Sequence, residues 1–296
     1  MKNKLLLLLF LLGVVFPLSA QESEVLISTS HTSLLLSTSQ GGELKFLYYG
    51  RKLTDADVHA IVSTESGSFS AYSVYGLNCP SESALSVQHE DGNMTLQMEV
   101  IGVETTHQEK ANLTVISLKD KVYPFYVKLC YKAYQDVDVI EAWTEISHKE
   151  KKNVKLNQFA SAYLPVRKGN VWLSSLYGAW ANEARLVQEP LEPGMKVIKN
   201  KDGVRNSHTA HAEVMFSLDG QPRENSGRVI GAALCYGGNY KLRIDTDESE
   251  YHHFYAGINE ENSVYHLKSG EVFKTPELAL TYSDEGLSGG SRNFHR

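Results

Sequence analysis

Two carboxylate pairs sit at strand spacing in this chain, Asp136 with Asp138 and Asp245 with Asp247. On an extended segment such i, i+2 pairs share a face. Two carboxyl groups ~5 to 9 Å apart are what glycoside hydrolysis uses. Asp136 and Asp247, however, fall at turns, where Asp bonds nearby backbone, so both pairs read as structural. Histidines cluster at His208-Thr209-Ala210-His211 and at His252-His253. Zinc needs further ligands and usually a helical i, i+4 pair or cysteines, and adjacent residues on a strand point to opposite faces. No metal site and no cofactor is expected. The chain has no Gly-x-Ser-x-Gly elbow and no phosphate-cradling glycine loop before a helix; a Cys–His pair stays open, with nothing to single one out.

Aromatic residues are more suggestive. Trp180 stands beside Gly178 in Tyr177-Gly178-Ala179-Trp180-Ala181-Asn182-Glu183, where backbone can approach closely. A sugar can stack its apolar face on such a ring while Asn or Arg bonds its hydroxyls. Trp180 either packs structurally or faces a sugar or a partner domain. Trp143 and Trp172 lie within strand runs and are expected in the core.

The elements that must position these residues are strands. Phe125, Val127, Leu129, Tyr131 and Ala133 point one way; Tyr126, Lys128, Cys130 and Lys132 point the other. Asp138, Ile140, Ala142, Thr144 and Ile146 alternate again. Such alternation marks half-buried antiparallel strands. Asp91-Gly92, Asp202-Gly203 and Gly237-Gly238-Asn239 separate extended runs and read as hairpin turns. The charge run Lys149-Glu150-Lys151-Lys152-Asn153 reads as a hairpin tip. Helical signal is limited to residues 55–61 and the last residues from Ser288. The expectation is one all-β domain of roughly 16 to 18 strands in two packed antiparallel sheets. The Gly/Ser-rich stretch from Gly286 to Ser291 reads as a linker.

Composition narrows the class. The net charge is −6 with 22% charged residues, evenly spread; a nucleic-acid binder would show a basic stripe. Lys2 and Lys4, an apolar run over residues 5–15 and small Ala20 form a secretory signal peptide over residues 1–20, too short for a comfortable membrane span of ~20 residues. Export to the periplasm or medium is therefore expected, with no membrane span after cleavage. Cys79, Cys130 and Cys235 are too few and too far apart for a disulfide scaffold. Cys130 and Cys235, both in apolar strand runs, read as buried free thiols.

A series of short motifs then recurs in order. They are Tyr48-Tyr49-Gly50-Arg51, Tyr75-Gly76 with Ala84-Leu85, residues 176–183, Gly203-Val204-Arg205-Asn206-Ser207-His208, residues 231–239, Tyr255-Ala256-Gly257-Ile258-Asn259, residues 270–277, and Tyr282-Ser283 with Gly286-Leu287. Together they resemble the N-terminal β-domain of glycoside hydrolase family 36, the bacterial α-galactosidases.

The resemblance implies a large two-sheet antiparallel β-supersandwich over residues 21–285, followed in full enzymes by a (β/α)₈ barrel of ~200 to 250 residues. There, two Asp residues on the barrel hydrolyse terminal α-galactosides with retention. Residues 286–296 would be a truncated linker toward that barrel, so no catalytic residue is carried over and the chain alone is expected to be inactive. Trp180, Arg205 and His208 match motif positions and are candidates for a substrate- or barrel-facing surface, or for plain turn and packing roles. Many members carry an Asp-Phe pair after the Tyr75-Gly76 equivalent; this chain has Cys79-Pro80, so no sugar contact is carried over for that loop. The partners implied are α-galactosides through the missing barrel, and the barrel itself or a neighbouring subunit in a homo-oligomer. The alternative is a stand-alone glycan-binding or subunit-assembly β-sandwich.

Overall fold

The computed structural model describes residues 23–64, 69–76, 82–166, 168–205 and 208–296. The expected signal segment, Cys79, Pro80, Asn206 and Ser207 lie outside them. In chain order the elements are β1 (Ser23–Ser28), β2 (Thr32–Thr38), β3 (Leu44–Arg51), α1 (Asp55–Val62), β4 (Phe69–Ser70), β5 (Leu85–Gln88), β6 (Met98–His107), β7 (Ala111–Asp120), β8 (Phe125–Tyr134), β9 (Val139–His148) and β10 (Val154–Val166). They continue as β11 (Trp172–Ala179), β12 (Asn182–Pro190), β13 (Gly194–Lys199), β14 (Ala210–Ser217), β15 (Val229–Leu234), β16 (Tyr240–Thr246), β17 (His252–Ile258), β18 (Tyr265–Leu267), β19 (Val272–Lys274), β20 (Leu278–Ser283) and α2 (Gly286–Phe294).

Strand pairing within the sheets is antiparallel. A ten-stranded sheet runs β12-β11-β14-β15-β20-β9-β8-β7-β6 with β19 beside β9, and a six-stranded sheet runs β13-β16-β17-β10-β18 with β5 beside β10. A four-stranded sheet, β1 to β4, is a third layer that periodicity alone did not separate. The two large sheets meet across the core, where Phe216 of β14 and Phe254 of β17 bring their ring centroids to 5.1 Å. Both rings are fully buried, each stabilising by about 1.5–3 kcal/mol through removal from water.

The alternation read from sequence is the alternation observed. Phe125, Val127, Leu129, Tyr131 and Ala133 are buried, and so are Ile140, Ala142, Thr144 and Ile146 on the paired strand. That parity overturns one expectation. Trp143 lies between inward Ala142 and Thr144 and therefore faces outward, half-buried, with Nε1 donating to Glu145 Oε1 at 3.3 Å. Trp172 precedes inward Leu173 and is likewise half-buried, its Nε1 donating to Asn170 Oδ1 at 3.1 Å. Neither tryptophan is core. Of the described cysteines, Cys130 is buried, and burial pushes its thiol up to about 12. Cys235 lies just beyond β15 and is exposed, contrary to expectation.

The turn cues mark chain reversals but not pairing partners. Asp91-Gly92 closes a turn in which Gly92 N–H donates to His89 O at 3.0 Å. The flanking strands do not form a hairpin: β5 pairs with β10 and β6 with β7. Gly237-Gly238-Asn239 carries the chain from the ten-stranded to the six-stranded sheet, and Asp202-Gly203 carries it back the other way. Residues 149–153 also cross between the large sheets instead of capping a hairpin. Glu150 there is buried, its Oε1 2.7 Å from His89 Nδ1. A charge run had hidden a buried acid with a distant partner.

The two short helices fall where local signals placed them. Thr54 and Asp57 form a reciprocal capping box at the start of α1. The Gly/Ser-rich stretch read as linker is α2, docked on β15 and β20. Its small residues serve close approach. A Cβ on Gly289 would come 2.0 Å from Ser283 Oγ, and one on Gly286, at φ +67°, would come 2.5 Å from Arg223 O. Asn293 seals the contact with Nδ2 donating to Thr281 Oγ1 at 3.0 Å. Among the described residues no helix is long and apolar enough to cross a membrane.

Candidate functional site

Strands β11 and β12 form a hairpin whose tip is Trp180-Ala181. The register runs from Trp172 opposite Pro190 to Ala179 opposite Asn182, with an irregularity between Tyr177 and Ala179. Gly178 is required there, since a Cβ would meet Glu183 Cα at 2.6 Å. Two non-glycine residues take left-handed backbone, Ala181 at φ 58° and Ala184 at φ 55°. Such positions cost energy for L-residues and concentrate at functional or tightly constrained sites. Trp180 is 87% exposed.

The hairpin is open along its outer strand. Every residue of β12 except Glu189 is exposed, including Leu186 and Val187, and β12 is an edge of the ten-stranded sheet. An exposed edge offers unpaired backbone groups to another chain. The tip is tied to the His208 segment, because Gly178 N–H donates to Thr209 O at 3.0 Å. His208 and Arg205 are both exposed. Among the described residues neither side chain has an ion-pair or hydrogen-bond partner. Trp180 and His208 therefore flank one backbone contact, and Arg205 stands on the turn leading into it.

That turn is held by three asparagines that the sequence did not place at this site, although Asn239 and Asn259 fall within motifs named above. Gly203 N–H donates to Asn239 Oδ1 at 2.7 Å, and Asn200 Nδ2 donates to Gly203 O at 3.0 Å. Asn259 Nδ2 donates to Asn200 O at 3.1 Å. Asn200 and Asn259 are buried, so three side-chain amides fix the backbone that presents Val204, which is 88% exposed. Their signal was weak: an Asn near a turn is common, and only the fold shows that these three converge.

The arrangement suits binding. Exposed Trp and Arg are residues that anchor interfaces, and the tip contributes no nucleophile or general base. The carboxylate pairs are structural. Asp138 accepts from Thr29 Oγ1 at 2.8 Å and from His31 N–H at 2.9 Å. Burial would raise its pKa, but the bonds from His31 and Thr29 together hold it below the ordinary carboxylate value. Asp247 accepts from Ser249 and Tyr251 N–H and faces His253 Nε2 at 3.2 Å; against burial, these bonds hold it low too. A glycosidase acid needs a raised pKa; each carboxyl group displaced among the described residues is displaced downward. His252 and His253 are buried and engaged, with His252 Nε2 2.8 Å from Gly169 O and His253 Nδ1 2.8 Å from Tyr163 OH.

The fold is a large antiparallel β-sandwich that presents an exposed, Trp-tipped hairpin at the edge of its ten-stranded sheet. The chain belongs to the glycosyl hydrolase family 36 N-terminal domain family, whose model matches residues 42–268. It is 32% identical over 191 residues to the alpha-galactosidase Mel36A of Lactobacillus acidophilus, covering 64% of this chain and 26% of that protein. It is 26% identical over 301 residues to the bifunctional alpha-galactosidase/sucrose kinase AgaSK of Mediterraneibacter gnavus, covering 91% of this chain and 32% of that one. The fold superposes on the crystal structure of the GH36 alpha-galactosidase AgaA of Geobacillus stearothermophilus with a TM-score of 0.86, at 23% identity over 92% of this chain and 42% of that chain. The chain thus spans about a quarter to a third of the length of these curated relatives.

Proposed function

We propose that this chain is the non-catalytic N-terminal part of an exported α-galactosidase, acting in the breakdown of terminal α-galactosides, and that it is inactive alone. Family membership supports the first half. The engagement of Asp138 and Asp247 in local structural hydrogen bonds supports the second. The observation that carries the domain's own role is the Trp180 hairpin, paired to β14 through β11, exposed at its tip and open along β12. We read it, with Arg205 and His208, as the surface that meets the catalytic domain or a neighbouring subunit.

The test has two arms. The purified mature chain is assayed on p-nitrophenyl α-galactoside, where no turnover is expected; specific hydrolysis would overturn the non-catalytic reading. Sedimentation across a concentration series should reveal self-association that Trp180→Ala weakens. A chain monomeric at every concentration, unchanged by that substitution, would remove the hairpin as a contact surface. The second reading, a stand-alone glycan-binding module, is favoured if an immunoblot of source cells shows a species no larger than this chain.

A further inference from the structure

A separate concavity opens where the four-stranded sheet meets the rims of the two larger ones. It has a volume of about 430 Å³, within the ~300–1,000 Å³ range of small-molecule sites. Phe46 and Tyr48 of β3, Phe69 of β4, Tyr251 before β17 and Tyr282 of β20 line it, with Arg228 at the start of β15. All of these rings except Tyr282 are half-buried, so aromatic surface remains uncovered on a concave wall.

The wall is fixed in place. Phe69 meets Tyr251 edge-on and His253 edge-on, each at 4.9 Å between centroids. Tyr48 OH donates to Arg51 O at 2.9 Å. Arg228 is clamped by Asp219, with Nε 3.0 Å from Oδ1. Lys168 Nζ lies 5.3 Å from the Tyr251 ring centroid. Burial pushes the Tyr282 hydroxyl up to about 12 and also raises that of Tyr48, so both remain protonated at neutral pH.

The lining selects its ligand class. Among the described residues no carboxylate borders the cleft, which disfavours a cation. Arg228 already has its counter-charge in Asp219, which disfavours an anion as the main occupant. A wholly apolar ligand would take water from Lys168 and from the remaining lone pairs of the tyrosine hydroxyls without offering a hydrogen bond in return, at added cost. A ligand with apolar C–H faces for the rings and many hydroxyls for the polar groups meets both demands. We propose that this cleft binds a neutral oligosaccharide and is an ancillary sugar site apart from the Trp180 surface. The cleft's lining is independent of the Trp180 surface; only the choice of an α-galactoside as probe rests on the function proposed above.

Saturation-transfer NMR and calorimetry with raffinose test it on the mature chain. Raffinose should receive saturation from aromatic protons of the wild type. Ile61→Trp, which fills the cleft from α1 without removing a ring, should abolish the transfer. Tyr251→Ala should weaken binding about tenfold, the scale of one lost ring contact. Trp180→Ala should leave it unchanged, and all three variants should melt with the wild type. Binding that survives both cleft substitutions, binding lost in Trp180→Ala, or no transfer from the wild type at about 10 mM raffinose, weaker than any useful site, would each overturn the proposal. Should raffinose fail to bind while the chain still self-associates through Trp180, the cleft assignment falls and the domain reading stands.

Discussion

The β11–β12 hairpin and helix α2 are both glycine-punctuated segments, yet they end in opposite environments. The hairpin is exposed to its tip, with left-handed backbone at Ala181 and Ala184 where glycine would be easier. Helix α2 buries Gly286, Gly289, Gly290 and Asn293, and its glycines allow helix and sheet to touch. The hairpin carries one glycine, Gly178, and the helix three. One segment accepts local cost to hold a surface outward, and the other removes side chains to bring backbone inward. What separates them is the presence of a distant partner, here β15 and β20.

The sharpest way to break this contrast is Gly289→Val. If α2 is docked as described, the added side chain meets Ser283 and Glu285, and stability should fall by about 2–3 kcal/mol, as overpacking does. Urea titration would show it; a flat response would make α2 a loose tail. Thr246→Val is expected next in size. It removes the hydroxyl that lies 2.8 Å from the buried His252 Nδ1 and should cost about 1–3 kcal/mol by leaving that nitrogen unpaired. A hairpin-side counterpart is Ala181→Gly. Relieving the left-handed residue should stabilise by up to about 1 kcal/mol, read as a raised melting temperature. Trp180→Ala should have the smallest effect on folding, within about 0.5 kcal/mol; a larger loss would mean the ring packs against its own domain.

The histidines sharpen the same contrast through pH. Burial holds His252 below its ordinary value of 6.5. As pH falls through about 6.5 the unfolded chain takes up this proton before the folded one does, so stability falls from there until the folded-state pKa is passed. His252→Gln should flatten that part of a melting-temperature profile. Asp138 and Asp247 act lower, because their contribution is complete above about 3.8 and is lost as pH drops through their depressed folded values.

Much of the fold was legible because strand burial has a period of two residues. Phe125 to Ala133 on β8 and Ile140 to Ile146 on β9 were assigned faces that the sheets keep. The same rule, carried one residue further, turns Trp143 and Trp172 outward, although both lie within strand runs. Of the candidate site, Trp180 was visible beside Gly178, but the amides of Asn200, Asn239 and Asn259 that hold the neighbouring turn were not. They are separated in sequence and meet only because β13, β16 and β17 share a sheet.

By itself the sequence determined the elements, their faces, the positions of the reversals and the family, because these depend on neighbouring residues and on ordered short motifs. Only the tertiary structure decided which strand each reversal delivers to which sheet, that Glu150 finds His89, that the glycines of α2 are contacts, and that six rings converge on one cleft. Those outcomes rest on contacts between residues far apart in the chain, where closing the loop costs little more for a distant partner than for a near one and local pattern carries no record of the choice.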